Sequence, residues 1–282
     1  MSFDNWYRGF LERLLVSFES LEKSVSIVIQ GPLHERMKTS LPHYLKLINK
    51  HIHKTKTIEG ENVLGNLVIS YWDNDNESII SDFKNTPNIV LVKNNSSLVK
   101  KYSKRIGTRG SAPWIYQNYS CYHGVKASTG HLCIKVRSDE IYPNIESLHQ
   151  YMLKTIYEVD GPTPFFTNDI FFRKDDVEKF HPSDHIIAGL RTSLEKGFEE
   201  SLRMCKSSIP VNIKFPEQLI CRSFLKSRNV EIKDYKSRNI MKQWYRIFPL
   251  IKMPNSTWTC SYRNYEPLKS TEPGWIHDIK DI

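Results

Sequence analysis

The sequence predicts an α/β fold, a mostly parallel sheet flanked by crossover helices, and three observations carry that expectation. Short β-branched runs alternate with longer stretches of helical period through the first half of the chain. Each run stops abruptly at a polar or glycine-bearing turn, as strands buried on both faces do. There is no internal repeat and no low-complexity linker in the 282 residues, so the alternation is expected to belong to one continuous domain.

Residues 6 to 22 place Trp6, Phe10, Leu14, Phe18 and Leu21 on one helical face, which predicts an amphipathic helix over residues 1–23 lying on the body as a lid. Val25 to Ile29 is the first strand, broken by Gln30-Gly31-Pro32 and followed by a helix through Leu41 to Ile52. Leu67 to Trp72 is the second, stopping at Asp73-Asn74-Asp75-Asn76. A helix near residues 77 to 84 and a third strand, Ile89 to Val92, come next.

The following helix has marked ends. Ser111 is its candidate cap, Pro113 sits in the first turn, Ile115, Tyr119, Tyr122 and Val125 share a face, and Gly130 lies past the end. Leu132 to Val136 is the fourth strand. Beyond residue 160 the pattern mixes strand-like Pro164 to Thr167 and Ile170 to Phe172 with helix-like stretches near 192 to 204 and 216 to 227.

Hydrophobic residues make up 39% of the chain and aromatics 12%, enough for a large core. No run approaches the roughly 20 apolar residues that span a bilayer. Leu14-Leu15-Val16 is flanked by Glu12, Arg13 and Glu19, and no secretory signal pattern opens the sequence. Five cysteines without metal-ligand spacing suit a reducing compartment, so a cytoplasmic location is expected.

The net charge of +9 suits nucleic acid, an anionic membrane face or phosphate-bearing small molecules. Nucleic acid is not expected as a partner, because the basic residues are spread along the chain and no binding motif accompanies them. The C-terminal third interleaves Lys233, Lys236, Arg238, Lys242, Trp244, Tyr245, Arg246, Phe248 and Lys252, a composition that suits an anionic membrane or a lipid-linked acceptor. A solvated basic face with its aromatics in the core explains it equally.

Ligands of an open parallel sheet bind outside the carboxyl ends of its strands. After the first strand, Gly31 lets backbone N–H groups approach a ligand and Gln30 can bond a base or ribose, although Gly31-Pro32 is also an ordinary tight turn. After the second, Asp73 can accept from nucleotide hydroxyls. The D-x-D spacing of Asp73-Asn74-Asp75 equally fits a solvated turn. After the fourth, Arg137-Ser138-Asp139-Glu140 passes from a buried strand into two carboxylates. A divalent Mn²⁺ or Mg²⁺ takes oxygen ligands and bridges carboxylates to phosphates, so Asp139, with Glu140, is the candidate metal site and Arg137 a phosphate partner. An Arg137 ion pair of purely structural purpose is the alternative.

These residues resemble the WavE family of lipopolysaccharide-synthesis proteins. The resemblance rests on Ile27-Val28-Ile29-Gln30-Gly31-Pro32, Ile69-Ser70-Tyr71-Trp72, Gln117 with Gly124, and Lys135-Val136-Arg137-Ser138-Asp139, and runs from about residue 25 through Pro216-Glu217-Gln218. It implies a GT-A-like, Rossmann-type fold and a hexosyltransferase-like enzyme that moves a sugar from a nucleotide-sugar donor to a glycan of lipopolysaccharide, O-antigen or capsule. Residues 24–160 would form the nucleotide-sugar half and 161–282 an acceptor-side elaboration ending in the basic region.

By the same resemblance Gln30, Gly31, Pro32, Trp72, Asp73, Gln117, Arg137 and Ser138 would face the donor, and Asp139 would be the metal-binding acid. Arg137-Ser138-Asp139 has one Asp where a full D-x-D has two. A base is needed to deprotonate the acceptor hydroxyl in an inverting transfer, and Glu217, Asp169 and Asp184 are the candidates in that order. Glu217 is also where a first-turn acid favours a helix dipole. His181, His185 and His277 are late imidazoles that could ligate a metal, though a lone histidine is more often structural.

Three other readings compete, the first being a nucleic-acid-binding protein, suggested by the charge and the aromatic content. A sugar nucleotidyltransferase would want a glycine-rich basic loop after the first strand, which Gln30-Gly31-Pro32-Leu33-His34 is not. A non-catalytic nucleotide-binding scaffold would keep the fold without the chemistry.

Overall fold

The computed structural model describes residues 24–52, 65–100, 102, 111–158, 161–170, 172–174, 176–207 and 213–257. The expected helix over residues 6 to 22 and His277 lie outside the described residues.

Four strands that read as continuous apolar runs form one half of the sheet: β1 (Val25–Gln30), β2 (Leu67–Trp72), β3 (Ile89–Asn94) and β4 (Leu132–Arg137). β1, β2 and all but the last residue of β4 are buried or nearly so along their whole length. Successive side chains point to opposite faces. Ile27, Ile29, Ile69, Ile134 and Val136 join one apolar cluster, while Val28, Val68 and Cys133 join another. With both faces covered, no polar alternation is left to see.

The first face is covered by α1 (Met37–Ile52) and α4 (Ile145–Glu158), which contribute Leu41, Tyr44, Leu148 and Met152. Between them in sequence come α2 (Ser96–Lys100) and α3 (Ser111–Lys126). α3 covers the second face together with α5 (Arg191–Lys206) and α6 (Pro216–Ser227), through Cys121, Val125, Phe198 and Phe224. Gly124 makes the α3 contact close: a Cβ there would stand 2.6 Å from Val28 Cγ1 and 3.0 Å from Ser70 Cβ.

The remaining strands are four residues each: β5 (Phe165–Asn168), β6 (Ile187–Leu190) and β7 (Tyr245–Phe248), the last preceded by α7 (Ser237–Trp244). The sheet order is β3-β2-β1-β4-β6-β5-β7. β1 is parallel to β2 and β4, β2 to β3, and β5 to β7, while β6 is antiparallel to both β4 and β5. Every strand but β6 therefore points the same way, and the fold is α/β with a mostly parallel mixed sheet. The β4–β6 pairing carries the sheet from the first half of the chain into the second.

The structure refines one expectation, the helix near residues 77 to 84, and departs from another. Residues Glu77–Phe83 form a 3₁₀ helix, started by Asn76, whose side chain accepts the Ser78 N–H. Of the expected strand at Ile170 to Phe172, the described residues are not in a strand: Ile170 lies in a turn, and Phe172 N donates back to Asp169 O at 3.3 Å. Among the described residues no helix is long and apolar enough to cross a membrane.

Candidate active site

The turns that end β1 and β4 are fastened to each other. Ser138 N donates to Gln30 O at 3.0 Å, and Ser138 Oγ donates to Pro32 O at 2.6 Å. Gly31, at φ +126°, has no room for a side chain, since a Cβ would meet Ser138 Oγ at 2.8 Å. The β1–β4 register sets Gln30 beside Arg137.

The turn after β2 is sealed by Asp75, whose Oδ2 accepts the N–H groups of Trp72 at 2.8 Å and Leu33 at 3.1 Å. This ties the β1 and β2 turns together. Asp73 is exposed on the same turn and its Oδ1 accepts the Ser96 N–H at 3.2 Å; the Ser96 side chain first, and this backbone bond second, lower its pKa. Behind the turns a buried polar belt fixes α3 to the strand ends. Ser70 Oγ donates to Ser120 O at 2.7 Å, Asn94 Nδ2 donates to Ser70 Oγ at 2.9 Å, and Gln30 Nε2 donates to Ser120 Oγ at 3.0 Å.

These anchored pieces enclose a cleft of about 520 Å³, bounded by Gln30, Pro32, Trp72, Asp75, Lys100, Tyr116 and Gln117. It lies outside the carboxyl ends of β1, β2 and β3, where an open α/β sheet takes its ligand, and its size suits a nucleotide. Tyr116 packs edge-on against Trp72, with ring centroids 4.8 Å apart. Gln30, Pro32, Trp72 and Gln117, singled out in the sequence, thus share one wall with Asp75, weighed there as part of a solvated turn, and with Tyr116 and Lys100, which carried no sequence signal. Asp75 belonged to the same acidic turn, and Tyr116 directly precedes Gln117.

The two acids after β4 have different surroundings. Asp139 is partly exposed and its carboxylate takes both forks of Arg137, at 3.0 and 2.9 Å. Glu140 is fully buried. One of its oxygens accepts from Tyr142 Oη at 2.7 Å, and the other meets His185 Nδ1 and lies 3.4 Å from Arg137 Nε.

Of the candidate bases, Asp169 is buried, and its Oδ1 accepts the Leu250 N–H at 2.9 Å, joining the end of β5 to the segment after β7. Asp184 and Glu217 instead come together on one cavity of about 10 Å³, roughly the volume of a single water. Asp184 accepts from Gln117 Nε2, which links this cavity to the cleft wall, and the buried Lys135 ammonium donates to its main-chain carbonyl. Burial works to raise the Asp184 pKa, but the charges of Lys135, His185 and Arg137 and the Gln117 bond outweigh it and hold the acid below the usual carboxylate range.

Glu217 opens α6 and goes the other way. Burial and the charge of Asp184 push its pKa up to about 8. Its Oε2 makes no hydrogen bond, and His181 Nε2 stands 3.7 Å from it. His181 and His185 are thus both placed against carboxylates.

No family model matches the sequence, and no curated protein matches it. Among solved structures the chain is similar to the galactosyltransferase LgtC in complex with donor and acceptor sugar analogues, at 9% identity over 70% of this chain and 69% of that one, with a TM-score of 0.40. It is also similar to glucosyl-3-phosphoglycerate synthase from Mycobacterium tuberculosis in complex with Mn²⁺, uridine diphosphate and phosphoglyceric acid, at 11% identity over 77% and 84% of the two chains, TM-score 0.37. Mouse xyloside xylosyltransferase 1, in its apo form, is similar at 8% identity over 85% and 88%, TM-score 0.39.

Proposed function

We propose that this chain is a glycosyltransferase of the GT-A type that holds a nucleotide-sugar donor in the cleft above β1, β2 and β3. The observation that carries the reading is the convergence of Gln30, Trp72, Tyr116 and Gln117 on one wall of this cleft of about 520 Å³, with Arg137 placed beside Gln30 by the strand register. In this reading the base and ribose lie against Gln30, Gly31, Pro32, Trp72 and Asp73. The diphosphate meets the positive charge of Arg137 and Lys100, and Ser138 keeps the two turns in register.

Few side chains here could serve a divalent ion. Glu140 is enclosed, with both oxygens engaged, and among the described residues no group of three or more His, Cys, Asp or Glu side chains could hold a metal. Asp139 is 26% exposed, so of the two acids in this turn it is the one whose carboxylate reaches the surface, where Arg137 bridges it. Among these acids Asp139 is the residue that would hold Mn²⁺ or Mg²⁺, which takes oxygen ligands. When bound, it would offset charge developing on the leaving diphosphate.

Glu217 is the base of the proposal. It must lose its proton to accept one from an acceptor hydroxyl, so transfer is expected to speed up as pH rises toward about 8. Asp184 holds Gln117, while Asp169, buried and bonded to the Leu250 N–H, fastens the segment after β7 and is not a candidate base in this reading.

The motif resemblance to the WavE family supports a surface glycan, in lipopolysaccharide, O-antigen or capsule, as the product, built on a glycan or lipid-linked acceptor. A cytoplasmic protein working at the inner face of an anionic membrane suits the exposed Tyr235 and Ile251, with Lys236, Arg238 and Lys242 on the surface of the same C-terminal region.

The test is to incubate the purified protein with a panel of UDP-, GDP- and CMP-sugars and to follow nucleotide release. One donor is expected to be turned over, and Asp139→Asn to lower the rate by about 100-fold or more. A panel left intact, by a protein shown to be folded, would leave the scaffold reading standing.

A further inference from the structure

A glutamine amide is nearly symmetric in shape, so its orientation is decided by its partners. Both glutamines on the cleft wall have partners that allow one orientation only. Ser120 Oγ has a single proton, directed at the main-chain carbonyls of Tyr116 and Gln117 at 3.0 and 3.1 Å. Toward Gln30 it can therefore only accept, and Gln30 Nε2 stands 3.0 Å from it. Asp184, ionised among Lys135, His185 and Arg137, is likewise an acceptor only, so Gln117 must turn its Nε2 inward to it.

With both NH₂ groups turned into the protein, the two carbonyl oxygens are what the amides have left for the cleft. Neither Oε1 accepts a hydrogen bond from a described residue, and neither is among the buried atoms lacking a partner, so both are open to a ligand.

We propose that Gln30 Oε1 and Gln117 Oε1 form an acceptor-only pair that selects ligands by their hydroxyl groups, those of a sugar ring, and that Asp184 is the positioning residue which fixes Gln117. This rests on the cleft being the nucleotide-sugar site. It goes further in stating what the wall reads: a group that donates is accepted there, and one that can only accept is refused. The hydroxyls could be those of the ribose or of the transferred sugar, and the two sources are separable.

The experiment is a calorimetric titration of UDP, GDP and CMP against their 2′-deoxy and 3′-deoxy counterparts, and of UDP- and GDP-hexoses against their single deoxyfluoro analogues. In the wild-type protein, loss of one particular hydroxyl is expected to weaken binding about fivefold to tenfold. The ribose or hexose arm in which this happens identifies the source. Gln117→Leu or Gln30→Leu should reduce the difference to less than about twofold, because the acceptor is gone. Asp184→Asn, which can donate to Gln117 and let its amide turn over, should lose the same discrimination while keeping Gln117. If that variant does not fold, the two leucine variants carry the test. Wild-type protein that binds a parent nucleotide yet binds every deoxy and deoxyfluoro counterpart within twofold overturns the acceptor pair and leaves the donor site standing. Binding of no nucleotide at all overturns both.

Discussion

Glu217 and Asp184 border the same small cavity, and their charges oppose each other. Below about pH 4.5 the Glu217 carboxyl is protonated whether the chain is folded or not. Between there and about pH 8 the unfolded chain gives up the proton while the folded protein keeps it, so this acid's contribution to stability is lost as pH rises through that window. Glu217→Gln has no proton to lose. Its Tm should gain on that of the wild type steadily from about pH 5 to about pH 8 in differential scanning calorimetry. A difference that does not change with pH would mean that the acid is not raised. The same substitution should lower the transfer rate about 100-fold or more if Glu217 is the base. At the other turn, Gly31→Ala brings a Cβ to 2.8 Å from Ser138 Oγ at φ +126°, and should cost about 1–3 kcal/mol in urea denaturation. Wild-type stability in that variant would show that the turn does not depend on glycine.

Among the elements, α3 is the one that both covers the sheet and supplies the cleft wall, and its contact with β1 and β2 is set by Gly124. Alanine in a helix interior gains about 1 kcal/mol over glycine, but its Cβ here would lie 2.6 Å from Val28 Cγ1, and overpacking costs about 1–3 kcal/mol. Gly124→Ala should therefore come out destabilised in denaturant unfolding, and Gly124→Val more so. A stabilised alanine variant would mean that α3 is free to lift. The first four strands were legible because burial on both faces writes them as uninterrupted β-branched runs. α4 carried a readable pattern too, Ile145, Leu148, His149, Met152 and Leu153 on one buried face, though no strand or helix was assigned there from sequence. β6 is different in kind. Ile187-Ala188-Gly189-Leu190 has little β preference of its own, and the pairings to β4 and β5 make it a strand. In the site, the strand-end rule led to Gln30, Trp72 and Arg137 because the topology fixes where such residues go. It could not separate Asp73 from Asp75, since which acid turns back to seal a loop is settled by hydrogen bonds to Leu33 and Trp72, one of them 42 residues away.

At the scale of the whole molecule, the positive charge and the cleft make separate demands. The aromatics Tyr245 and Phe248 of the basic C-terminal region are buried, while Tyr235 and Ile251 are 76% and 80% exposed near surface lysines. If this surface meets a membrane, the protein should sediment with vesicles containing phosphatidylglycerol and be released by raised salt, and Tyr235→Ser with Ile251→Ser should weaken the association. Equal recovery with neutral and anionic vesicles would count against it. The cleft is the more central matter, because donor binding, the glutamine pair and the role of Asp139 all depend on it. A thermal-shift screen of the folded protein against UDP, GDP, CMP and their sugars, with and without Mn²⁺, tests it most directly. A ligand at 100 times its Kd adds about 2.7 kcal/mol to a native state that binds it, enough to raise Tm by several degrees. The expected result is a rise with one nucleotide class that is diminished in Tyr116→Ala and Gln30→Leu. A flat response across the panel, or a rise that those cleft variants leave unchanged, would contradict the assignment of this cleft as the donor site.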